Sequence, residues 1–391
     1  SLTVNKYTFV VRSQQMIDYA IDGMMEVEDA GVFNRMHDAK LDFYHQLFKA
    51  EHRSFYSPQD LKILDDCRTV ANVGWIKSLG AQRISRYDPQ FMLRERDLAE
   101  IDITKAFTGA FMRITAVPVF NEFDLWQPYL EGEALRNLSL YIVESSEFDL
   151  FFNQRHNLVY GHFLKQLPKK PTIKAVKHPS MIKKVSYKAL VEELWKTHLS
   201  DDPEEDQVLK KTIANCNFGM LEKQFRTQKS KLFDTYEDAK FFQTKYGGDI
   251  TFIKQYEDRQ EWKVDPLDKG VKGAEVKYSC EMKPTGRALF VLNLFAEASL
   301  NNGFRYIKEL LMQHHNFYLE RSYRLLKQEG IDAYSVKTDA LTIPGHLVEK
   351  ASEVLNWESG IGSWRLNRRE EIKFPNRDLV LALKENSIPE I

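Results

Sequence analysis

Two aspartates and a lysine carry the chemistry that this sequence can offer. Asp102 closes an apolar, β-prone run in Glu100-Ile-Asp102-Ile-Thr-Lys-Ala-Phe107, and Asp339 does the same in Tyr334-Ser-Val-Lys337-Thr-Asp339-Ala-Leu-Thr. Between them, Lys211-Thr-Ile-Ala-Asn215-Cys-Asn-Phe218-Gly219 sets Lys211 and Asn215 one helical turn apart on a shared face, with Phe218 a turn further on and Gly219 leaving room beside it. Carboxylates hold divalent cations and an ammonium holds a polyphosphate, so two acidic centres flanking a basic helix are what nucleotidyl transfer requires. A hard cation such as Mg²⁺ takes one or two carboxylates and completes its shell with phosphate oxygens, so Asp102 and Asp339 suffice if the fold brings them together. Each residue also has a bland reading: Asp102 as a capping or surface acid, Lys211 as a solvated helix lysine beside Lys210, Phe107 and Phe218 as core.

The three segments, in this order, resemble the motifs of the family B DNA polymerases, most closely their protein-primed branch found in viruses, linear plasmids and self-synthesising transposons. The first motif of that family reads D-x-x-S-L-Y-P; here Asp102 is kept and Phe107 stands where the family has Tyr. The fingers motif, K-x-x-x-N-S-x-Y-G, is matched in register by Lys211, Asn215, Phe218 and Gly219. In the last, Y-x-D-T-D-S, the second Asp is kept as Asp339 and the first is replaced by Lys337. Gly362-Ser-Trp364-Arg365 and the pair Lys373-Phe374 look like the stretch that leads from palm to thumb. The resemblance covers residues from about 96 to 222 and about 283 to 376, around a divergent insert.

What the resemblance implies is an α/β (α+β) right-hand polymerase with palm, fingers and short thumb, its antiparallel palm sheet backed by helices. Asp102 and Asp339 are then expected to hold two Mg²⁺ ions about 3.5–4 Å apart, with Mn²⁺ as a substitute. Lys211 neutralises charge on the leaving group, Asn215 positions it, and Phe218 packs against the nascent base pair. Phe107 excludes a ribose 2′-hydroxyl, and Lys373 steadies the primer end. The implied partners are a DNA primer-template, deoxynucleoside triphosphates and a terminal or priming protein, in DNA replication of a viral kind. The alternative is a catalytically inactive, polymerase-like nucleic-acid-binding replication or assembly factor, which the loss of the first Asp at Lys337 and the absence of a D-x-E exonuclease segment in residues 1 to 95 keep open.

The elements that must position these residues are legible in pattern. Residues 1–95 read as an N-terminal mixed α/β domain, with a strand at Tyr7 to Arg12 and helix over much of Met25 to Ala50. Residues 96–150 read as the first part of the palm, 151–186 as a basic insertion, 187–230 as fingers, 231–282 as an insertion between fingers and palm, 283–348 as the second part of the palm, and 349–391 as the palm-to-thumb segment. Strands are expected at Leu138 to Val143, Leu150 to Phe152 and Leu158 to Phe163, a loop at Pro168 to Pro179, and hairpin strands at Ile250 to Ile253 and Ala274 to Tyr278. Lys188 to Lys196 and Phe304 to Gln328 have helical spacing, and Gly330 ends the second just before the Asp339 strand pair. The adjacent His314 and His315 point in different directions on that helix and make a poor chelating pair.

Composition supports a protein of more than one lobe. The chain has 391 residues, 43% of them hydrophobic and 12% aromatic, enough for more than one core. Cys67, Cys216 and Cys280 are scattered and odd in number, which argues against a disulfide framework or a zinc site and favours a reducing, intracellular setting: host cytoplasm or nucleus, or a virus particle. No apolar run reaches membrane-spanning length, so no membrane partner is expected. The opening Ser1-Leu-Thr-Val-Asn-Lys6 lacks a secretory pattern, and its abrupt start is expected of a piece of a longer protein. The net charge of −1 hides a division: Phe151 to Leu190 contains no Asp or Glu and carries Lys169, Lys170, Lys177, Lys183 and Lys184 among its cations. Lys169, Lys170, Lys183 and Lys184 are therefore candidate DNA-backbone contacts.

Overall fold

Alternation within the strand Asp97–Ile103 decides the architecture around the site. Ala99, Ile101 and Ile103 share one face and are buried in the core, whereas Glu100 and Asp102 lie on the opposite face, so the strand carries its site acids away from the core. The computed structural model describes residues 30–71, 97–144, 156–222, 301–333 and 335–371. It also describes the strands Leu2–Val4, Tyr7–Phe9, Val73–Ile76, Arg83–Ile84, Arg226–Phe233, Gln255–Val264 and Tyr278–Glu297, and the helix Tyr236–Tyr246. Leu150 to Phe152, Ile250 to Ile253 and Lys373 lie outside these residues.

The chain divides into two compact units, residues 1–35 with 224–300, and residues 36–223 with 301–391. The first contains the hairpin Leu2–Val4 with Tyr7–Phe9, a three-stranded antiparallel sheet with Tyr278–Glu297 at its centre, and the helix Tyr236–Tyr246. The second is a mixed helix and strand unit whose largest sheet has six antiparallel strands, in the order Trp364–Glu371, Asp97–Ile103, Ala340–Pro344, Ser335–Lys337, Val73–Ile76, Arg83–Ile84. Ala99, Ile101, Ile103, Val336, Leu341, Ile343 and Trp364 form its buried face and meet Leu319, Tyr323 and Leu326 of the helix Arg305–Gln328. The N-terminal half of the same helix, through Tyr306, Ile307, Leu310 and Leu311, enters a second core built around Phe43, Phe111, Tyr160 and Phe218. One helix thus carries both cores of this unit.

A smaller sheet in the same unit has the order His156–Tyr160, Leu140–Glu144, Thr172–Lys177, Gln127–Pro128. Its third strand corrects the loop expected from Pro168 to Pro179: the prolines lie outside Thr172–Lys177, and the residues between alternate well enough to pair, with a bulge between Ile173 and Ala175. Lys177 is correspondingly not a surface cation. It is buried against Asp60 at 2.8 Å and lies over the ring of Phe120. The expected strand from Leu158 to Phe163 is shorter, because the chain turns into a short helix at Gly161, where a Cβ would lie 2.1 Å from the Arg136 carbonyl oxygen.

The helix Arg305–Gln328 also holds the chain before the sheet. Glu309 is buried and its carboxylate accepts the Thr69 N–H at 3.1 and 3.2 Å, while Asn316 donates to the Val70 carbonyl. Burial pushes the Glu309 carboxyl up to about 7, against the opposing effect of the Thr69 bonds. An acid with a raised folded pKa favours folding while protonated, so this group's stabilisation declines from the unfolded carboxylate range of about 4.3 up to about 7 and is lost above that. Glu309→Gln keeps an acceptor and removes the titration. The variant is expected to gain stability relative to the parent between pH 5 and pH 8, read from urea midpoints at each pH; a constant difference would contradict the buried carboxyl.

Candidate active site

Register places the two aspartates. Ser335–Lys337 and Ala340–Pro344 form a tight hairpin whose turn is Thr338 and Asp339, with Thr338 in left-handed backbone at φ +57°. Ala340 pairs with Asp102 across the next ladder, and the Ile103 N–H donates to the Asp339 carbonyl at 3.0 Å. Asp339 therefore sits at the tip of the hairpin beside Asp102. Burial raises its carboxyl above the ordinary range, and Asp102 and Glu100 add to the rise while Lys211 opposes it. The fold thus holds acids together at an electrostatic cost, the arrangement found where a cation is to be bound.

The turn is anchored from behind by a residue that sequence reasoning set aside. His315 is buried, and its Nε2–H donates to the Thr338 carbonyl at 2.8 Å. Burial lowers its pKa to about 4, so the ring is neutral and Nε2 carries the hydrogen. Phe107 packs against this imidazole, ring centroids 4.7 Å apart, and is half-buried. Its helix, Ala106–Met112, packs closely on the turn before the strand Trp364–Glu371 through Gly109, where an added Cβ would lie 2.6 Å from the Gly362 Cα. Phe107, His315 and the Asp339 turn are one contiguous support.

The helix Pro203–Met220 brings the basic residues. Asp202 caps it by accepting the Glu204 and Glu205 N–H groups, and Glu204, Glu205 and Asp206 occupy its first turn, where the helix dipole favours acids. The two adjacent lysines have separate fates. Lys210 is buried, paired with Asp206 at 2.6 Å and donating to the Trp195 carbonyl at 2.9 Å. Lys211 is exposed and acts on Asp339. Asn215 and Gly219 share its exposed side, and a Cβ on Gly219 would meet nothing within 4 Å.

Phe218 does not join them. It is turned inward, with its ring 4.7 Å from that of Phe111 and 6.2 Å from that of Phe43, so the expectation that it faces a base pair is corrected to a core role. Its place at the border of the exposed arc let the helical spacing admit either reading.

Arg365, on the strand Trp364–Glu371, forms a two-pronged pair with Asp102 at 2.7 and 3.2 Å. Arg368 and Arg369 continue the row onto Glu100 and Asp97. Such pairing arises only from cross-strand register and has no local signal. Lys337 is exposed and precedes the turn that holds Asp339; it pairs with Ala340, which pairs with Asp102, so Lys337 stands two strands from Asp102 on the same face. Lys169 and Lys170 are exposed beyond the short helix Gly161–Leu164, and Lys183 and Lys184 lie on Met181–Lys184, the ribbon strand paired with Ala116–Val119.

The donor set suits a cation held jointly with substrate. Among the described residues no three His, Cys, Asp or Glu side chains converge to hold a metal by themselves. Two carboxylates whose charges oppose each other are instead what Mg²⁺ uses when phosphate oxygens and water complete its shell. Arg365 is 57% exposed and Asp102 14% exposed, so the arginine side of the pair opens to solvent and the guanidinium can withdraw from Asp102 without leaving a buried cation.

No family model matches the chain, and comparison with curated proteins finds no match. Among solved structures, similarity is to phi29 DNA polymerase. The complex with single-stranded DNA has a TM-score of 0.47 at 7% identity, covering 91% of this chain and 56% of that one. The ternary complex with primer-template DNA and incoming nucleotide substrates has a TM-score of 0.48 at 6% identity, covering 94% and 61%. The chain thus spans about three fifths or less of the length of the phi29 DNA polymerases to which it is similar.

Proposed function

We propose that this chain is a template-directed DNA polymerase core that adds deoxynucleotides to a primer end by nucleotidyl transfer. The observation that carries the reading is the register that sets Asp102 beside Asp339 with the exposed Lys211 acting on the same carboxyl. The motif resemblance supplies the reaction class. In this reading the six-stranded sheet is the palm, the helices Tyr187–Lys196 and Pro203–Met220 are the fingers, and residues 349–391 lead to a short thumb. Asp102 and Asp339 would hold divalent cations, Mg²⁺ or Mn²⁺, which when bound supply activation of the primer 3′-hydroxyl and stabilisation of charge on the triphosphate.

The chain's own groups do the rest. Lys211 binds the polyphosphate and neutralises charge as the leaving group departs; Asn215, one turn on, orients it. Phe107 excludes the ribose 2′-hydroxyl sterically, its ring held by His315. Lys169, Lys170, Lys183, Lys184 and Lys373 track DNA phosphates, with a steep salt dependence as the expected sign. A terminal or priming protein is a further proposed partner.

Two observations favour the binding-factor reading in its place: Arg365 already compensates Asp102, and Lys337 adds a cation to the same face. Strands about 4.8 Å apart put Lys337 about 10 Å from Asp102. An ammonium at about 10 Å opposes a divalent ion by roughly 3 kcal/mol at an effective dielectric near 20, less with salt. That weakens cation binding without forbidding it. The deciding experiment is primer extension on a primed template with Mg²⁺ or Mn²⁺. The wild-type chain is expected to extend the primer; if it does not and Lys337→Asp does, the protein is a binding factor that has lost the chemistry.

A further inference from the structure

The placement of Lys105 is costly. It adopts left-handed backbone, φ +49° and ψ +53°, between the strand Asp97–Ile103 and the helix Ala106–Met112. For a residue with a Cβ this costs about 1–2 kcal/mol, so the surrounding structure must enforce it. The side chain reaches towards the fingers helices, and its Nζ lies 5.7 Å from the centre of the Trp195 ring. Trp195 is itself fixed: its indole N–H donates to Gln207 at 3.2 Å and its carbonyl accepts from the buried Lys210 at 2.9 Å. An ammonium over a rigid indole is held in position without being neutralised.

The charges that act on Lys105 are those of Arg365 and Lys211. Burial lowers the Lys105 pKa first, and Arg365 and Lys211 lower it further. Neither Lys105 nor Lys211 forms an ion pair among the described residues; Arg365 alone of the three is joined to an acid, Asp102. Lys105 and Lys211 thus act on one another, and Lys211 also acts on Asp339. Mutual repulsion of this kind is relieved by an anion, and one carrying several charges along a chain can meet two lysines at once. Lys105 also stands where the first motif of the resembled family has Ser, so its charge is a property of this chain.

We propose that Lys105 is a phosphate-anchoring residue that, together with Lys211, grips the polyphosphate of the incoming nucleotide, and that Trp195 holds its ammonium ready. The proposal rests on the reading of the site as a nucleotidyl-transfer centre and adds to it a residue that discriminates triphosphates from monophosphates.

The test is equilibrium binding to the full chain of deoxyadenosine triphosphate, deoxyadenosine monophosphate and inorganic tripolyphosphate, with Tm measured alongside and no primer extension involved. Lys105→Asn removes the charge and tolerates left-handed backbone, and Lys105→Gly does so without strain. Both are expected to weaken triphosphate and tripolyphosphate binding about tenfold or more, with monophosphate binding unchanged and Tm equal to or above the parent. Lys105→Arg is expected to keep most of the affinity. Triphosphate binding that survives in Asn and Gly variants but falls in Lys211→Ala would overturn the proposal and spare the polymerase reading. A wild-type chain that binds neither triphosphate nor tripolyphosphate would overturn both.

Discussion

Primer extension by Asp102→Ala and by Asp339→Ala is expected to fall by about a thousandfold or more, with primer-template affinity within about twofold of the parent. The loss corresponds to about 4 kcal/mol of transition-state stabilisation, the scale of removing a charge-stabilising group from a reaction centre. Stability should move little, and for Asp339 in the favourable direction. Asp102 gives up a two-pronged pair whose arginine side is open to solvent, worth about 1 kcal/mol. Asp339 has its carboxyl raised by burial, Asp102 and Glu100, so its ionised form is disfavoured by the fold at neutral pH. Asp339→Asn should therefore equal or exceed the parent in Tm while losing extension. A residue kept at a cost to stability and needed for turnover is a functional one. Extension near the parental rate in Asp102→Ala would sink the catalytic assignment.

Lys210 and Lys211 should give opposite phenotypes although they are adjacent. Lys211→Ala is expected to reduce kcat/KM for the nucleotide about a hundredfold, or about 2.7 kcal/mol, through nucleotide affinity and turnover. Its fold should be unaffected, because the side chain is exposed. Lys210→Ala breaks a buried pair with Asp206 and the bond to the Trp195 carbonyl, so it should cost about 3 kcal/mol of stability. Steady-state kinetics and urea denaturation of the two variants separate these effects. If Lys211→Ala instead weakens DNA binding and leaves nucleotide dependence unchanged, the helix serves the template.

Much of this arrangement was legible because it rests on local pattern. Alternation around Asp102, the apolar runs flanking Asp339 and the spacing of Lys211 to Asn215 each specify a face, and the long helix Arg305–Gln328 follows from its periodicity. What escaped was set by register and by tertiary neighbours. The pair between Arg365 and Asp102 joins residues 263 apart in sequence. His315 matters through a carbonyl 23 residues away, and nothing in its own helix announces that. Phe218 escapes a sequence reading because an aromatic near a functional segment invites a ligand, whereas the rings of Phe111 and Phe43 claim it; likewise Lys177, one cation of the basic stretch, is claimed by the carboxylate of Asp60. The left-handed turn at Lys105 is a backbone fact with no compositional mark.

The most direct test of the central claim, that Asp102 and Asp339 form one cation-binding centre, is Mn²⁺ binding followed by electron paramagnetic resonance in the presence of deoxynucleoside triphosphate. The wild-type chain should bind Mn²⁺ saturably beyond what the nucleotide alone holds, and Asp102→Ala and Asp339→Ala should each abolish that excess. Equal Mn²⁺ binding by the parent and both variants would contradict the account.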